Sequence, residues 1–325
     1  MEIVRRRFLQ HVACAGALAA APRPAWALDY PNRPVRVIVG FAAGGPADLI
    51  VRLINQWLSE RLGQQFILEN RPGAGTNVAT EAVVKSAPDG YTLLLVTTAS
   101  AINTSLYDNL DFDFLRDITE IASFDRQPLI MEINPSLPVT TVPEFIAYAK
   151  ANPGKINYGT GGVGTIQHVA GELFKFRTGV DLVHVPYRGG GPMMTDLLAG
   201  RVQAAFGLIS SSVPQVQSGK LRALAVTNIE RLPILPDTPA LAEFLPGYEA
   251  YAANGIGAPA GTPAEIIARL NQEITAALAD PTIKARLADF GSFPAPMSAA
   301  DYAKFVANET EKWGKVVKFA NIKVE

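Results

Sequence analysis

Cysteine is almost absent from this chain: Cys14 is the only one in 325 residues. It falls within the first 27 residues, which read as a leader, so the rest of the chain has no thiol nucleophile, disulfide or cysteine metal ligand. Histidine is nearly as scarce, with only His168 and His184 after His11. No G-x-S-x-G elbow or H-E-x-x-H pair occurs, Ser210-Ser211-Ser212 has no evident base, and the acids form no recognisable metal set. No run after residue 27 approaches the roughly 18 apolar residues that a membrane-crossing helix needs. A one-sided charge is missing too. The 29 basic and 30 acidic residues become 25 and 29 once Arg5, Arg6, Arg7, Arg23 and Glu2 leave with the leader. That balance excludes the field that would draw nucleic acid or an anionic membrane. An anionic ligand would have to be held by local geometry, and a chain this poor in general bases suits binding better than catalysis.

What is present begins with an address. Val4-Arg5-Arg6-Arg7-Phe8-Leu9-Gln10 precedes an apolar stretch from Val12 to Ala21 and the small-residue site Ala25-Trp26-Ala27. A basic start, a short apolar centre and an A-x-A-like end make a cleavable export signal, and the arginine pair with Phe8-Leu9 fits the twin-arginine type. Residues 1–27 are therefore expected to be removed near Ala27, leaving an exported protein long enough for one large domain or two ordinary ones.

The mature sequence alternates short β-branched runs with helical segments, the pattern of an α/β fold with largely parallel sheets. Val35 to Phe41 reads as a strand and Pro46 to Leu62 as a helix, with Ile50, Leu53, Ile54, Trp57 and Leu58 on one face and Gly63 at its end. Strands Phe66 to Glu69 and Tyr91 to Thr97 complete a first series. A second series starts with strand Leu129 to Ile133 and a helix near Pro143 to Ala151 capped by Thr141. It continues through strands at 156–158, 182–186, 202–208 and 221–227 and helices at 166–177 and 192–198. After strand Gly255 to Ala258 come helices at 263–279, 281–289 and 299–319. Two series, followed by helices with no sheet of their own, predict two lobes in which the chain returns to the first, with crossings near 124–130 and 229–250.

In open α/β sheets, ligands sit beyond the carboxyl ends of strands, where loops feed helix N-termini. Four loops qualify. Phe41-Ala42-Ala43-Gly44-Gly45-Pro46-Ala47-Asp48 offers glycine N–H groups and a helix end that favours negative charge. The same residues also satisfy a tight turn, with Asp48 as a first-turn acid. Asn70 to Thr76, containing Ala74, reads equally well as turn chemistry. Thr97-Thr98-Ala99-Ser100 places hydroxyls after a buried strand, where they either meet a carboxylate or cap the next segment. Gly159-Thr160-Gly161-Gly162-Val163-Gly164-Thr165 matches G-x-G-x-x-G between a strand and a helix. The dinucleotide reading of that match is weak, because Asp181 precedes its strand instead of ending it. Anion cradling by backbone N–H groups fits better. His168 lies two positions into the following helix and is able to face the loop, whereas His184 alternates with Val183 and Val185.

Several blocks, taken in order, resemble one family closely: Val39 to Asp48, Glu69 to Gly75, Pro88-Asp89-Gly90-Tyr91-Thr92-Leu93-Leu94, His184-Val185-Pro186-Tyr187-Arg188-Gly189 and Gly219 to Thr227, extended by Ala258 to Pro263 and Lys312-Trp313. The chain is similar to the substrate-binding receptors of tripartite tricarboxylate transporters, also called the Bug family. The resemblance implies a two-lobed Venus-flytrap fold of type II-like periplasmic binding proteins, each lobe a mostly parallel sheet flanked by helices. Domain 1 would comprise 28–126 and 249–325, and domain 2 127–248, with the ligand between them. It further implies a monomeric receptor, not an enzyme, with no cofactor, that takes a small carboxylate (a di- or tricarboxylate or an aromatic acid) to the membrane permease subunits. Its ligand contacts would map to Phe41, Ala42, Ala43, Gly44, Gly45 and Asp48 in the first loop and to Thr160, Gly161, Gly164 and Thr165 in the fourth, with His168 nearby. Ala74, Thr98, Ser100, Tyr187 and Gly207 complete the expected set. Family members often carry an acid near the position of Gly207. Its absence here argues against an amino-acid ligand. Arg126, at the first crossing, is a further candidate anion partner, although a solvated surface arginine reads as well. The competing readings are an exported oxidoreductase using a nucleotide cofactor and a receptor that serves signalling.

Overall fold

The computed structural model describes residues 29–324; the expected export signal lies outside them. The chain order is β1 (Val35–Val39), α1 (Pro46–Leu62), β2 (Phe66–Asn70), α2 (Asn77–Val84), β3 (Thr92–Thr97), α3 (Thr98–Leu106), α4 (Phe114–Asp117), β4 (Ile118–Ile133), α5 (Val142–Ala151), β5 (Ile156–Thr160), α6 (Ile166–Thr178), β6 (Leu182–Pro186), α7 (Gly190–Leu198), β7 (Ala204–Leu208), α8 (Ile209–Gln217), β8 (Arg222–Val226), β9 (Tyr251–Pro259), α9 (Ala264–Ala279), α10 (Pro281–Asp289), β10 (Phe293–Pro294) and α11 (Ala299–Ala320).

Local chemistry sets the first unit. Pro46 opens α1, where a missing N–H costs no helical bond. Gly63 closes it at φ 72°, a left-handed conformation that glycine adopts without strain, and its N–H returns to Ser59 O. Ile50, Val51, Ile54 and Leu58 are buried, as one face of a 3.6-residue period requires. Thr141 caps α5 by accepting the Glu144 N–H.

Strands follow the order β2-β1-β3-β9-β4-β7-β5-β6, with β8 and β10 also pairing with β4. The outer triplets are parallel: β1 pairs with β2 and β3, and β5 with β6 and β7. The centre is antiparallel, since β9 runs against both β3 and β4, and β4 runs against β7 and β8. The sheet is therefore more mixed than the strand-helix alternation predicts. The cause is β4, a single 16-residue strand whose first part pairs with β9 and whose last five residues pair with β7.

Burial follows this arrangement. One core gathers Val35, Val37, Ile50, Ile54 and Leu93 with Ile256, Leu270, Ile274 and Leu287. The late segment thus supplies much of the wall around the first strands. A second core combines Leu129, Tyr158, Phe174 and Phe206 with Ile102 and Leu106 of α3 and Trp313, Val316 and Val317 of α11. Helix α11 also closes a third core, in which Tyr302 and Val306 near its start pack beside Ile38, Leu94 and Val96.

Candidate functional site

Three helices begin at one cavity of about 330 Å³. Gly45, Pro46 and Ala47 bring the N-terminus of α1, Thr97, Thr98 and Ala99 that of α3, and Gly164, Thr165, Ile166 and Gln167 that of α6. A helix start leaves up to four backbone N–H groups without intrahelical partners and carries about half a positive charge. Among the described residues, no Asp, Glu, Lys, Arg or His lines the cavity. Its positive character comes from backbone dipoles, arranged by strands β1, β3 and β5 feeding their helices.

The walls are largely carbon. Phe41, Ala47, Leu106, Val163, Ile166, Leu208 and Ala252 line them, with Asn103, Tyr107, Gln127, Gln167 and Asn254 as polar points. Helix α3 runs alongside from Thr98 to Leu106, and nine helical residues rise roughly 13 Å. The start of α3 is thus separated from the Leu106 end, where Gly164 lies. A Cβ added at Gly164 would overlap Leu106 Cδ2, so the two residues are in close apposition.

Of the residues expected from sequence, Phe41, Gly45, Thr98, Gly164 and Thr165 line this cavity. The others do not. Ala42, Ala43 and Gly44 sit on the exposed part of the first loop, and Ala74 is exposed while its neighbour Gly75 lines the wall. Asp48 is 1% exposed and turned inward. It accepts the Gly44 N–H at 3.0 Å, Arg52 Nε at 2.8 Å and Asn70 Nδ2 at 2.9 Å. Burial raises its carboxyl, but these hydrogen bonds outweigh burial and hold it below the usual range. Asp48 therefore fixes the turn. Ser100 is buried, and its Oγ accepts the Thr97 N–H at 3.2 Å, the capping alternative for that loop. Thr160 is fully buried, with Oγ1 2.7 Å from His184 Nε2. The Gly161 N–H goes to Gln167 Oε1 at 2.8 Å, and Tyr187 Oη donates to Asp196 at 2.8 Å. His168 is 5% exposed and accepts the Gly164 N–H on Nδ1 at 3.1 Å.

Gly207 is buried against Glu132, where a Cβ would overlap both Glu132 Oε1 and Ser212 Oγ. Arg126 stacks over Tyr251 and Phe305, with its guanidinium carbon 4.7 and 5.0 Å from the ring centroids. It is no cavity residue, whereas its neighbour Gln127 is, as strand alternation requires.

Sequence reasoning missed Asn103, Tyr107, Gln127 and Asn254, which belong to no loop motif. It also passed over Thr97, quoted in the third loop but not selected. Thr97 Oγ1 is buried at the cavity wall without a hydrogen-bond partner among the described residues, a placement visible only once β3 and α3 are assembled. The Gly159 to Thr165 loop is no dinucleotide cradle in this structure: the N–H groups of Gly161, Gly162 and Gly164 all bond to side chains of the chain itself.

The profile of the tripartite tricarboxylate transporter family receptor matches residues 50–322. The chain belongs to this receptor family. The receptor is 34% identical to the protein BugT of Bordetella pertussis over 314 residues, 95% of this chain and 96% of that one. A protein of R. palustris solved with adipate is 38% identical, with a TM-score of 0.79 and coverage of 91% of this chain and 99% of its own. MatC of Rhodopseudomonas palustris, solved with malate, is 32% identical, with a TM-score of 0.74 and coverage of 89% and 100%. Among the receptor's described residues, no helix is long and apolar enough to cross a membrane.

Proposed function

We propose that the receptor captures a small carboxylate in the 330 Å³ cavity and delivers it to the membrane subunits of a tripartite tricarboxylate-type transporter. The observation that carries this reading is the convergence of three helix N-termini on a cavity with no charged side chain among the described residues. Backbone N–H groups and helix dipoles favour an anion without a fixed cation. The carbon walls between the start of α3 and the loop beside Leu106 suit a dicarboxylate with an apolar middle. An ammonium group would find no acid there, so an amino acid would bind weakly. The adipate and malate of the two solved relatives support the class.

The two-lobe division follows the same logic. Residues 29–126 with 249–324 would form one lobe and 127–248 the other, joined where β4 passes between its two ladders. The protein would act as a periplasmic monomer that binds its ligand without transforming it. A thermal-shift screen with adipate, malate, aromatic acids, amino acids and nucleotides tests this. A ligand that binds only the folded state raises stability by about 2.7 kcal/mol at a hundred times its Kd. One or more acids should raise the melting temperature. A response to nucleotides alone would overturn the reading.

A further inference from the structure

The loop from Gly159 to Thr165 is glycine-rich, yet few of its N–H groups are free for a ligand. The Gly161 N–H is taken by Gln167 Oε1 at 2.8 Å, that of Gly162 by Thr160 Oγ1 at 3.3 Å and that of Gly164 by His168 Nδ1 at 3.1 Å. Thr165 N–H returns to Gly162 O at 3.4 Å. What remains at the cavity is the Val163 N–H and the first-turn N–H groups of Ile166 and Gln167. Their direction depends on how the loop is pinned from behind.

The pin is an ordered stack. To accept the Gly164 N–H, His168 Nδ1 must carry no proton, so the neutral ring bears its hydrogen on Nε2. That nitrogen faces Glu172 Oε1 at 3.9 Å, one helical turn on. Glu172 also accepts Tyr158 Oη at 2.5 Å and Lys175 Nζ at 2.9 Å. The ring of His184 lies parallel to that of His168, centroids 3.7 Å apart and planes within 8°. The far end of the stack, His184 Nε2, is 2.7 Å from Thr160 Oγ1, which holds the Gly162 N–H. Two stacked imidazoles therefore hold both glycines that flank Val163. Burial, then mutual repulsion and Lys175, push the titration of His168 down to about 3, and burial, then Lys175, that of His184 to about 4. Both rings stay neutral across the physiological range.

We infer that His168, backed by His184, is a positioning residue that aims the Val163 N–H and the start of α6 at the ligand carboxylate without touching it. This deepens the carboxylate-receptor reading and rests on it. The requirement is for an acceptor at the Nδ1 position, which the side-chain oxygen of asparagine reproduces and that of glutamine, one bond longer, does not. The experiment compares H168N and H168Q in the full mature protein by calorimetric titration with adipate and by amide hydrogen exchange at Gly164. H168N should keep adipate affinity within about threefold of wild type. H168Q should lose tenfold or more, and its Gly164 amide should exchange at least tenfold faster than in wild type. Equal affinity and equal exchange in the two variants would overturn the assignment. The exchange measurement needs no ligand, so a wild-type protein that ignores adipate would refute the choice of ligand while the pin was still judged at Gly164.

Discussion

Replacing Gly164 with alanine should separate the cost of a backbone conformation from the cost of a closed cleft. Gly164 sits at φ +74°, where an L residue loses roughly 1–2 kcal/mol to crowding of its own Cβ. That loss is independent of ligand and should appear in urea unfolding. The second cost is contact: the new methyl would overlap Leu106 Cδ2, and Leu106 is 6% exposed within the core and has little room to retreat. Overpacking of this kind costs about 1–3 kcal/mol. In the proposed arrangement Leu106 and Gly164 belong to different lobes and would meet only where those lobes close on the ligand, so this part would fall on the closed form and weaken binding by about five- to 150-fold. Titration calorimetry with adipate on wild type, G164A, L106A and the double variant isolates it. L106A alone should destabilise by about 2–5 kcal/mol. In its background G164A should no longer weaken binding, giving a coupling of at least 1 kcal/mol. Unchanged affinity in G164A, or a loss that persists without Leu106, would refute the apposition.

Two further outcomes follow from buried polar groups. Thr97 Oγ1 has no partner among the described residues, so T97V should leave the urea midpoint unchanged or slightly raised while lowering carboxylate affinity by about tenfold, the value of a hydrogen bond to a charged group. A parallel loss of stability and affinity would remove that hydroxyl from the site. Burial pushes the Glu132 carboxyl up to about 8 despite its hydrogen bond from Ser212, and raises Glu120 to about 7 and Asp125 to about 6. Carboxyls raised by folding add stability that is complete below their ordinary values near 4 and is lost as pH climbs through 6 to 8. The depressed histidines act oppositely, with full stability above about 6.5 that is lost as pH falls toward 3 to 4. Urea unfolding should therefore show a mildly acidic optimum. E132Q should lose on the order of 2 kcal/mol less than wild type between pH 6 and 8, and identical slopes would contradict a neutral Glu132.

Where the chain announces its boundaries through proline and glycine, its structure is readable in advance. Helix α1 runs from Pro46 to Leu62 as its punctuation predicts, and Thr141 caps α5. The first part of β4 was illegible because Glu120, Ser123, Asp125 and Gln127 interrupt its apolar run. Two of them are accommodated by distant partners: Asp125 by Ser292 and Asn254, and Gln127 by Phe290 O. Helices α3 and α8 were obscured by composition. α3 is rich in Thr, Ser and Asn, and α8 carries three serines and an internal Pro214, so neither looks helical without the core that buries it. At the site, the strand-to-helix loops that line the cavity were legible as candidates, since their placement depends on backbone. The inward turns of Asp48 and His168 were not, because each answers a neighbour brought up by folding.

The place of β9 also constrains how the molecule is made. It lies between β3 and β4, so residues 251–259 separate strands that were synthesised some 120 to 160 residues earlier. A growing chain holding everything through β8 has both outer parallel triplets but no strand to join β3 to β4, and lacks the α11 residues that complete two of the hydrophobic cores. Closure of loops this long is slow relative to local pairing. The gap keeps two long strand edges open until the last quarter of synthesis, an interval in which association with a chaperone would be most useful. Truncation anywhere before residue 259 should yield an aggregating polypeptide, not a smaller receptor.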